Sequence, residues 1–435
     1  MQANEFPAAA QHRLFEYCAL VGIPSEADPS VNTKLASAVR AVPKPEQARN
    51  GINVSFSASV LWRYPKKDHA DYALQQRELV DACFPAGLPL RCGKAPAPAL
   101  HDFVLTDCTG AQGSRVYGTA LVFYARLPPA RRRIVSSSLD LRSEQEWFVG
   151  RALLLLSSGD FAEASRATVA AIFRSFCLAT DGAAERLLVA AMHDVRVPQT
   201  GSATWLHLDD GDTVRFVRRP LACPPSLPLL ARVTVSGTSG SDTVIGTDSD
   251  RGDLGASLEL GEPSHVSPTV RVSTWHPVST LSDHVIGTVM AALLTERRVL
   301  VIADRVGSLV PLASFFLSAM WPLYWTHLYV PVASRTQLRN LANNAPTALP
   351  FLVGTLRVNV FGNGMRAPVD TLVLDAERGD LLLSDVDGAV RPLQGTGAPT
   401  LPAQFGELRG TLAALVRAVG RPELLERQLA LMQRL

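Results

Sequence analysis

Histidine and aspartate side chains that could bind a metal or move a proton are present, but their spacing does not form a known site. The nine histidines are scattered, and His276 and His284 stand eight positions apart with Pro277 between them. A helical metal site needs two histidines four positions apart on one face, so this pair does not make one. The acidic turn at 209–212 lacks the ligand spacing of a calcium loop. We therefore expect no metal site.

Motifs for nucleotide binding and nucleophilic catalysis are also incomplete. Gly362-Asn363-Gly364 lacks the third glycine of a dinucleotide site, so it indicates a plain turn. No G-x-x-x-x-G-K-[ST] sequence occurs, so the chain is not itself a P-loop NTPase, and no G-x-S-x-G nucleophile motif occurs. Two carboxylates that meet only in space stay an open alternative. We predict no catalytic residue, no cofactor and no covalent chemistry.

Composition and cysteine usage favour a globular protein of a reducing compartment. Hydrophobic residues make up 47% of the chain and charged residues 19%, which allows sizeable cores. The formal net charge of +2 gives no argument for nucleic acid. No two cysteines form a C-x-x-C pair and the first ten residues lack a secretory signal, so we expect free thiols in a cytoplasmic protein. The cysteines are Cys18, Cys83, Cys92, Cys108, Cys177 and Cys223.

The stretch 306–325 carries no charge and is long enough to span a bilayer. Pro311 and Pro322 interrupt it, and serines are spread through it. A helix buried on several sides of an α/β domain has the same pattern, so we predict a buried helix and no transmembrane segment.

The first half of the chain has the pattern of an antiparallel sheet with flanking helices. An alternation of period two begins at Ile52 and ends at Tyr64-Pro65, which predicts one strand with one buried face. Arg131 to Arg133 are expected in a loop, and a helix is expected after Asp160. The other predicted strands are 14–23, the hairpin 103–107 with 115–124, and 147–156.

The second half alternates helices with short apolar strands, which predicts a parallel sheet with helices on both faces. Thr280 and Asp283 have capping-box spacing before a helix that reaches Leu294. The run Val299 to Ala303 follows at once and predicts a buried parallel strand. Further strands are expected at 327–332 and 350–356, a hairpin at 371–374 with 380–383, and helices from 408 to 435.

These segments resemble the DENN family, and the motifs occur in the family's order. Cys83-Phe84-Pro85 and Val60 to Pro65 resemble motifs of its upstream (uDENN) module. The most diagnostic stretch of the core (cDENN) module is 291–300, supported by 325–332 and 350–354. One departure lies in 147–157, where Gly150 and Arg151 stand in place of the family's proline and lysine.

The resemblance implies an α/β (α+β) protein with two lobes. These are an N-terminal longin-like antiparallel sheet with helices and a C-terminal three-layer α/β domain, followed by a short helical tail. We assign the longin-like uDENN lobe to 11–178, a linker and the start of cDENN to 179–235, and the cDENN core to 268–366. The Ser/Gly/Asp-rich segment 236–267 is expected to be a flexible insertion, and 367–435 a shortened downstream (dDENN) module.

The resemblance also implies a function, which is exchange of the nucleotide of a Rab-type small GTPase bound between the lobes. A scaffold without exchange activity stays open, as does a GTPase-activating protein that would use Arg115 or Arg305 as its arginine finger. Peripheral association with a vesicle or endosomal membrane is the localisation to test. Partner contacts are expected on loops at strand ends, and the candidates are Asp107, Arg115, Asp304, Arg305, Ser308 and Arg335.

Overall fold

The structure is a computed structural model that describes residues 13–24, 29–40, 52–54, 58–70, 72–106, 115–139, 146–177, 183–208, 213–218, 234–236, 242–244, 281–320, 323–344, 349–361, 366–385 and 387–393. The chain divides into two compact units, Met1–Arg218 with Arg232–Val272, and Arg219–Ala231 with Ser273–Leu435. Each unit has its own sheet and its own hydrophobic core.

The first unit consists of a sheet of seven strands, its flanking helices and two short hairpins. Its elements are β1 (Tyr17–Gly22), α1 (Pro29–Arg40), β2 (Ile52–Val54), β3 (Ser59–Tyr64), α2 (Gln76–Cys83), β4 (Leu88–Cys92), β5 (Ala99–Thr106), β6 (Arg115–Arg126), α3 (Pro129–Ser138), β7 (Trp147–Ser157), α4 (Ala162–Cys177), α5 (Ala183–Val189), a π-helical turn (Ala190–Asp194), β8 (Ala203–His207), β9 (Thr213–Val217), β10 (Thr234–Ser236) and β11 (Asp242–Val244).

Strand β7 is the centre of this antiparallel sheet. β6 pairs along one edge of β7, while the other edge is shared by β4, which pairs with 147–149, and β1, which pairs with 152–156. β2 pairs with β4, and β3 pairs with β1, so these two short strands follow each other along the outside. The single strand predicted from Ile52 to Tyr64 is therefore wrong, because the partner changes from β4 to β1 between its two parts.

The core of the first unit lies between the sheet and α4, which packs on β6 and β7. Phe173 of α4 lies 5.1 Å from Phe123 of β6, between ring centroids, and Phe216 of β9 lies 5.7 Å from Phe15. The predicted β5–β6 hairpin, β7 strand and α4 helix are confirmed. Gly150, the departure from the family pattern, lies in β7 beside β4, where a Cβ atom would stand 2.8 Å from Pro89 Cγ.

The loop predicted around Arg131 is a helix. α3 begins with proline at its first turn, a position that favours a helix start. Arg131 is buried, and its guanidinium donates to the Pro24 carbonyl at 2.7 Å and to Asn32 Oδ1 at 3.2 Å. This arginine therefore joins segments of the first unit, and only its neighbour Arg133 is exposed as expected.

The second unit is an α/β structure around one sheet of six strands. Its elements are α6 (Asp283–Leu294), β12 (Val299–Ala303), α7 (Val306–Ala319), β13 (Leu328–Ala333), α8 (Arg335–Asn344), β14 (Phe351–Leu356), α9 (Arg357–Phe361), β15 (Leu372–Asp375), β16 (Asp380–Ser384) and β17 (Val390–Pro392).

The strand order is β13-β14-β12-β15-β16-β17, with the first four parallel and the last two antiparallel. Phe351 and Val353 of β14 pack with Leu338 of α8 and Val360 of α9. Gly354, which faces the other way, lies against Leu309 of α7. Helices therefore cover both faces, as right-handed crossovers in opposite directions along a sheet require. The predicted α/β fold class is confirmed, whereas the likeness of the first unit to a longin fold stays a prediction.

Two helices of the second unit refine the expectations. α6 is capped by Ser282, whose Oγ accepts the N–H of Val285 at 3.4 Å, so the capping residue is Ser282 and not Thr280. α7 contains Pro311, and within the described ranges no helix is long and apolar enough to cross a membrane. Several predicted segments lie outside the described residues: Asp107 and its turn, most of 236–267, and the helices from 408 onward.

Candidate functional site

The carboxyl ends of the four parallel strands bring polar residues of the second unit to one edge of the sheet. Asp304 follows β12, Ser334 follows β13, Arg357 follows β14, and Asp375 ends β15. We call residues 304–308, 334–335, 357 and 375–378 the carboxyl edge. Edges of this kind hold the ligands and partners of open α/β sheets, since the connecting loops gather there.

The crevice of the carboxyl edge lies between β12 and β14. These neighbouring strands send the chain to opposite faces, β12 to α7 and β14 to α9. Two loops that leave a sheet in opposite directions open a gap between them. Asp304 and Arg357 stand at the two sides of this gap.

Arg357 ties three of the parallel strands together at this gap. Its Nε donates to Asp304 Oδ1 at 2.9 Å, and its Nη2 donates to Asp375 Oδ1. Glu377 Oε1 accepts the backbone N–H of Asp304 at 2.8 Å, and Glu377 Oε2 lies 4.0 Å from Arg357 Nη2. The Asp375 side chain is 2% exposed, whereas the Asp304 side chain is 59% exposed. One carboxylate is therefore a buried anchor, and the other is held in place but open to a partner.

The electrostatics of this cluster follow from burial and pairing. Burial lowers the pKa of the Arg357 guanidinium, but its bonds to Asp375 and Asp304 outweigh that effect and leave the pKa raised. Burial raises the pKa of the Glu377 carboxyl, the Asp304 N–H lowers it, and the Asp304 charge raises it, with a net rise. Arg357 thus stays charged at any working pH.

The starts of α7 and α8 differ at the carboxyl edge. α8 has a capping box, in which Gln337 Oε1 accepts the Ser334 N–H at 2.9 Å and Ser334 Oγ accepts the Gln337 N–H at 3.2 Å. α7 follows Arg305, whose side chain makes no capping bond, and its first turn has no acidic residue. Ser308 in that turn is 2% exposed, and its Oγ has no hydrogen-bond partner among the described residues.

The candidate residues from the sequence fall into two groups. Asp304, Arg305, Ser308 and Arg335 all lie on the carboxyl edge, so the expectation that they stand at strand ends is met. Arg115 lies in the first unit, at the start of β6, where it bonds the phenol of Tyr117. Burial raises the pKa of Tyr117 to about 12. Whether these side chains contact a partner stays a prediction.

The residues that sequence reasoning missed are Arg357, Asp375 and Glu377. A signal for the first two was present, because each stands at the end of a strand that the sequence predicts. In the part of the chain that the structure describes, His, Cys, Asp and Glu do not gather in threes that could hold a metal ion.

Comparisons with known proteins match both units. Residues 58–123 match the uDENN domain, and residues 249–379 match the DENN (AEX-3) domain. The chain is also similar to DENN domain-containing protein 2A from Mus musculus, with 36% identity over 78 residues. That match spans 18% of this chain and 7% of the mouse protein. The carboxyl edge lies within the DENN match, and Arg115 lies within the uDENN match.

Proposed function

Because the chain carries a uDENN and a DENN domain, we propose that it is a guanine nucleotide exchange factor for a Rab-type small GTPase in membrane trafficking. The observation that carries the proposal is the order of the two domain matches, one in each structural unit. Such a protein works by binding alone and forms no covalent intermediate.

Exchange by binding requires differential affinity. The factor must bind the nucleotide-free GTPase more tightly than the loaded one, and by linkage it then weakens nucleotide binding by the same factor. Each tenfold weakening corresponds to about 1.4 kcal/mol of coupling free energy. Rigid, oriented groups serve this purpose better than mobile ones, because less conformational entropy is lost on binding.

The carboxyl edge offers such groups. Asp304 is exposed yet fixed by Arg357 and Glu377, so its carboxylate is presented in one position. Arg305 and Arg378 are exposed nearby, and neither has an ion-pair partner among the described residues. We propose this edge as the part of the second unit that contacts the GTPase.

The test is release of fluorescent GDP from a panel of purified Rab GTPases with and without the full chain. We expect acceleration for one or a few members. Asp304→Asn should slow release by about tenfold, the size of effect expected for a fixed charge in an interface. Asp194→Asn, which removes an exposed carboxylate in the first unit, is the matched control and should leave the rate unchanged.

The same panel separates the alternatives. Binding of a Rab without faster GDP release would replace the proposal with a scaffold role. Faster GTP hydrolysis, lost in Arg115→Ala or Arg305→Ala, would replace it with a GTPase-activating role. Absence of any binding across the panel by the folded protein would contradict both the exchange and the scaffold roles.

A further inference from the structure

The amino-terminal turn of α7 has unused hydrogen-bond donors. α7 spans 14 residues, its flanking residue Arg305 has an extended backbone, and no side chain caps the helix. The first N–H groups of a helix have no intrahelical acceptor, and here only that of Ser308 finds one, the Arg305 carbonyl at 3.2 Å. The N–H groups of Val306 and Gly307 are left for another acceptor, and they stand at the positive end of the helix dipole.

A second, independent observation concerns Ser308. This residue is 2% exposed, and its hydroxyl has no partner in the described part of the chain. Buried hydroxyls are rarely left unpaired without a reason. Side chains of a helix lean toward its amino terminus, so Ser308 Oγ is directed to the end where the free N–H groups lie.

The charges around this turn favour an anion. Arg305 is exposed and has no ion-pair partner within the described residues, and Arg335 Nε is buried without a hydrogen bond. Asp304, the nearest acid, is paired with Arg357. The other acids of the carboxyl edge, Asp375 and Glu377, follow β15, on the side of β12 away from β14 and β13.

We propose that the first turn of α7 binds a phosphate group. The N–H groups of Val306 and Gly307, the Ser308 hydroxyl and the Arg305 guanidinium would donate to its oxygens, and Gly307 has no side chain to block their approach. A helix amino terminus at the carboxyl end of a parallel strand is a known setting for phosphate. The site does not depend on exchange activity, and the phosphate could belong to a soluble ester or to a lipid headgroup.

The first arm of the test titrates inorganic phosphate into the full chain at constant ionic strength and follows the heat of binding. We expect saturable binding that weakens at least tenfold, or about 1.4 kcal/mol, in Ser308→Ala and in Arg305→Ala. Ser314→Ala, later in α7, and Arg339→Ala, exposed on α8, are matched controls that should bind like the unmodified chain. Ser308→Ala removes an unpaired hydroxyl, so its thermal stability without phosphate should not fall.

The second arm measures sedimentation with phosphatidylcholine vesicles, with and without a phosphatidylinositol phosphate. Binding only to the phosphorylated vesicles, lost in both variants, would support the site and identify a lipid headgroup as the source. Binding of inorganic phosphate alone, lost in both variants, would support the site and identify a soluble ester. Binding that survives in Ser308→Ala and Arg305→Ala, or no binding in either arm, would overturn the proposal.

Discussion

At the scale of single residues, the pair Arg357–Asp375 is the most consequential contact of the carboxyl edge. Asp375 is almost fully buried, and Arg357 is its only ion-pair partner among the described residues. Arg357→Ala would leave a buried carboxylate without a counter-charge, which costs about 3–5 kcal/mol of unfolding free energy. Urea denaturation of the purified protein measures this loss.

The matched control for this prediction is Arg391→Ala. Arg391 pairs with Asp385 at 3.0 Å, but its side chain is 73% exposed. Removing an exposed pair should cost less than about 1 kcal/mol. Equal losses in the two variants would show that burial of Asp375 does not decide the energetics of the cluster.

A second residue-scale prediction concerns pH. His101 is buried, its Nε2 lies 3.2 Å from the Ala82 carbonyl, and burial lowers the pKa of its imidazole from 6.5. Protonation therefore favours the unfolded chain. The contribution of His101 to stability is fully present above pH 6.5 and is lost as the pH falls toward the lowered pKa of the folded state.

The measurement compares unfolding free energies at about pH 7.5 and about pH 5.5. His101→Gln keeps an N–H donor for the Ala82 carbonyl but does not titrate, so it should lose less stability on acidification than the unmodified chain. His207→Gln alters an exposed histidine of β8 and should behave like the unmodified chain. If His101→Gln shows the full acid sensitivity, the imidazole is not the group responsible.

What the sequence could predict at this scale was position and not pairing. Asp304 and Arg335 follow predicted strands, so their place at strand ends could be inferred. The bond between Asp304 and Arg357 could not, because it depends on β12 and β14 becoming neighbours although 47 positions separate Ala303 from Phe351 along the chain. Side-chain partners across a parallel sheet are set by strand order, which local patterns do not contain.

At the scale of elements, the approach of β13 to β14 depends on one glycine. A Cβ atom on Gly354 would lie 2.1 Å from the carbonyl oxygen of Pro331 in β13. Pro331 lies in an edge strand, where the register shifts between Val330 and Ala333. Gly354→Ala must therefore push β13 away from β14, at a cost of about 1–3 kcal/mol or more.

Gly287→Ala is the matched control for this substitution. Gly287 lies inside α6, and no atom stands within 4 Å of the position of its Cβ. Alanine is favoured over glycine inside helices by about 1 kcal/mol, so this variant should be more stable than the unmodified chain. Chemical denaturation of both variants gives the two signs. A neutral Gly354→Ala would mean that β13 can shift freely.

Element types were predictable where the period was strong, as in β7, β12 and the β5–β6 hairpin. The pattern failed at 52–64, because alternation reports a half-buried strand but not a change of partner within it. It failed again at Arg131, where the charged run outweighed the helix signal of Pro129. Both failures arise because local sequence was taken to decide what tertiary packing decides.

At the scale of the whole molecule, the two units have separate sheets and cores, and this predicts separable unfolding. The first core gathers around α4 and the second around β12 and β14. Units with their own cores often unfold as separate cooperative transitions, which a single unfolding free energy cannot describe. Differential scanning calorimetry of the full chain should therefore resolve two transitions.

Paired glycine substitutions assign those transitions. A Cβ atom on Gly118 of β6 would lie 2.2 Å from the ring of Phe103 in β5, so Gly118→Ala must disturb the first sheet. It should lower one transition temperature and leave the other unchanged, while Gly354→Ala should do the reverse. Mutations in independent cores add, so the double variant should show both shifts at full size. One transition that both substitutions lower equally would mean that the two units fold as a single cooperative body. In that case the DENN-matching unit could not be perturbed at its carboxyl edge without affecting the unit that carries Arg115.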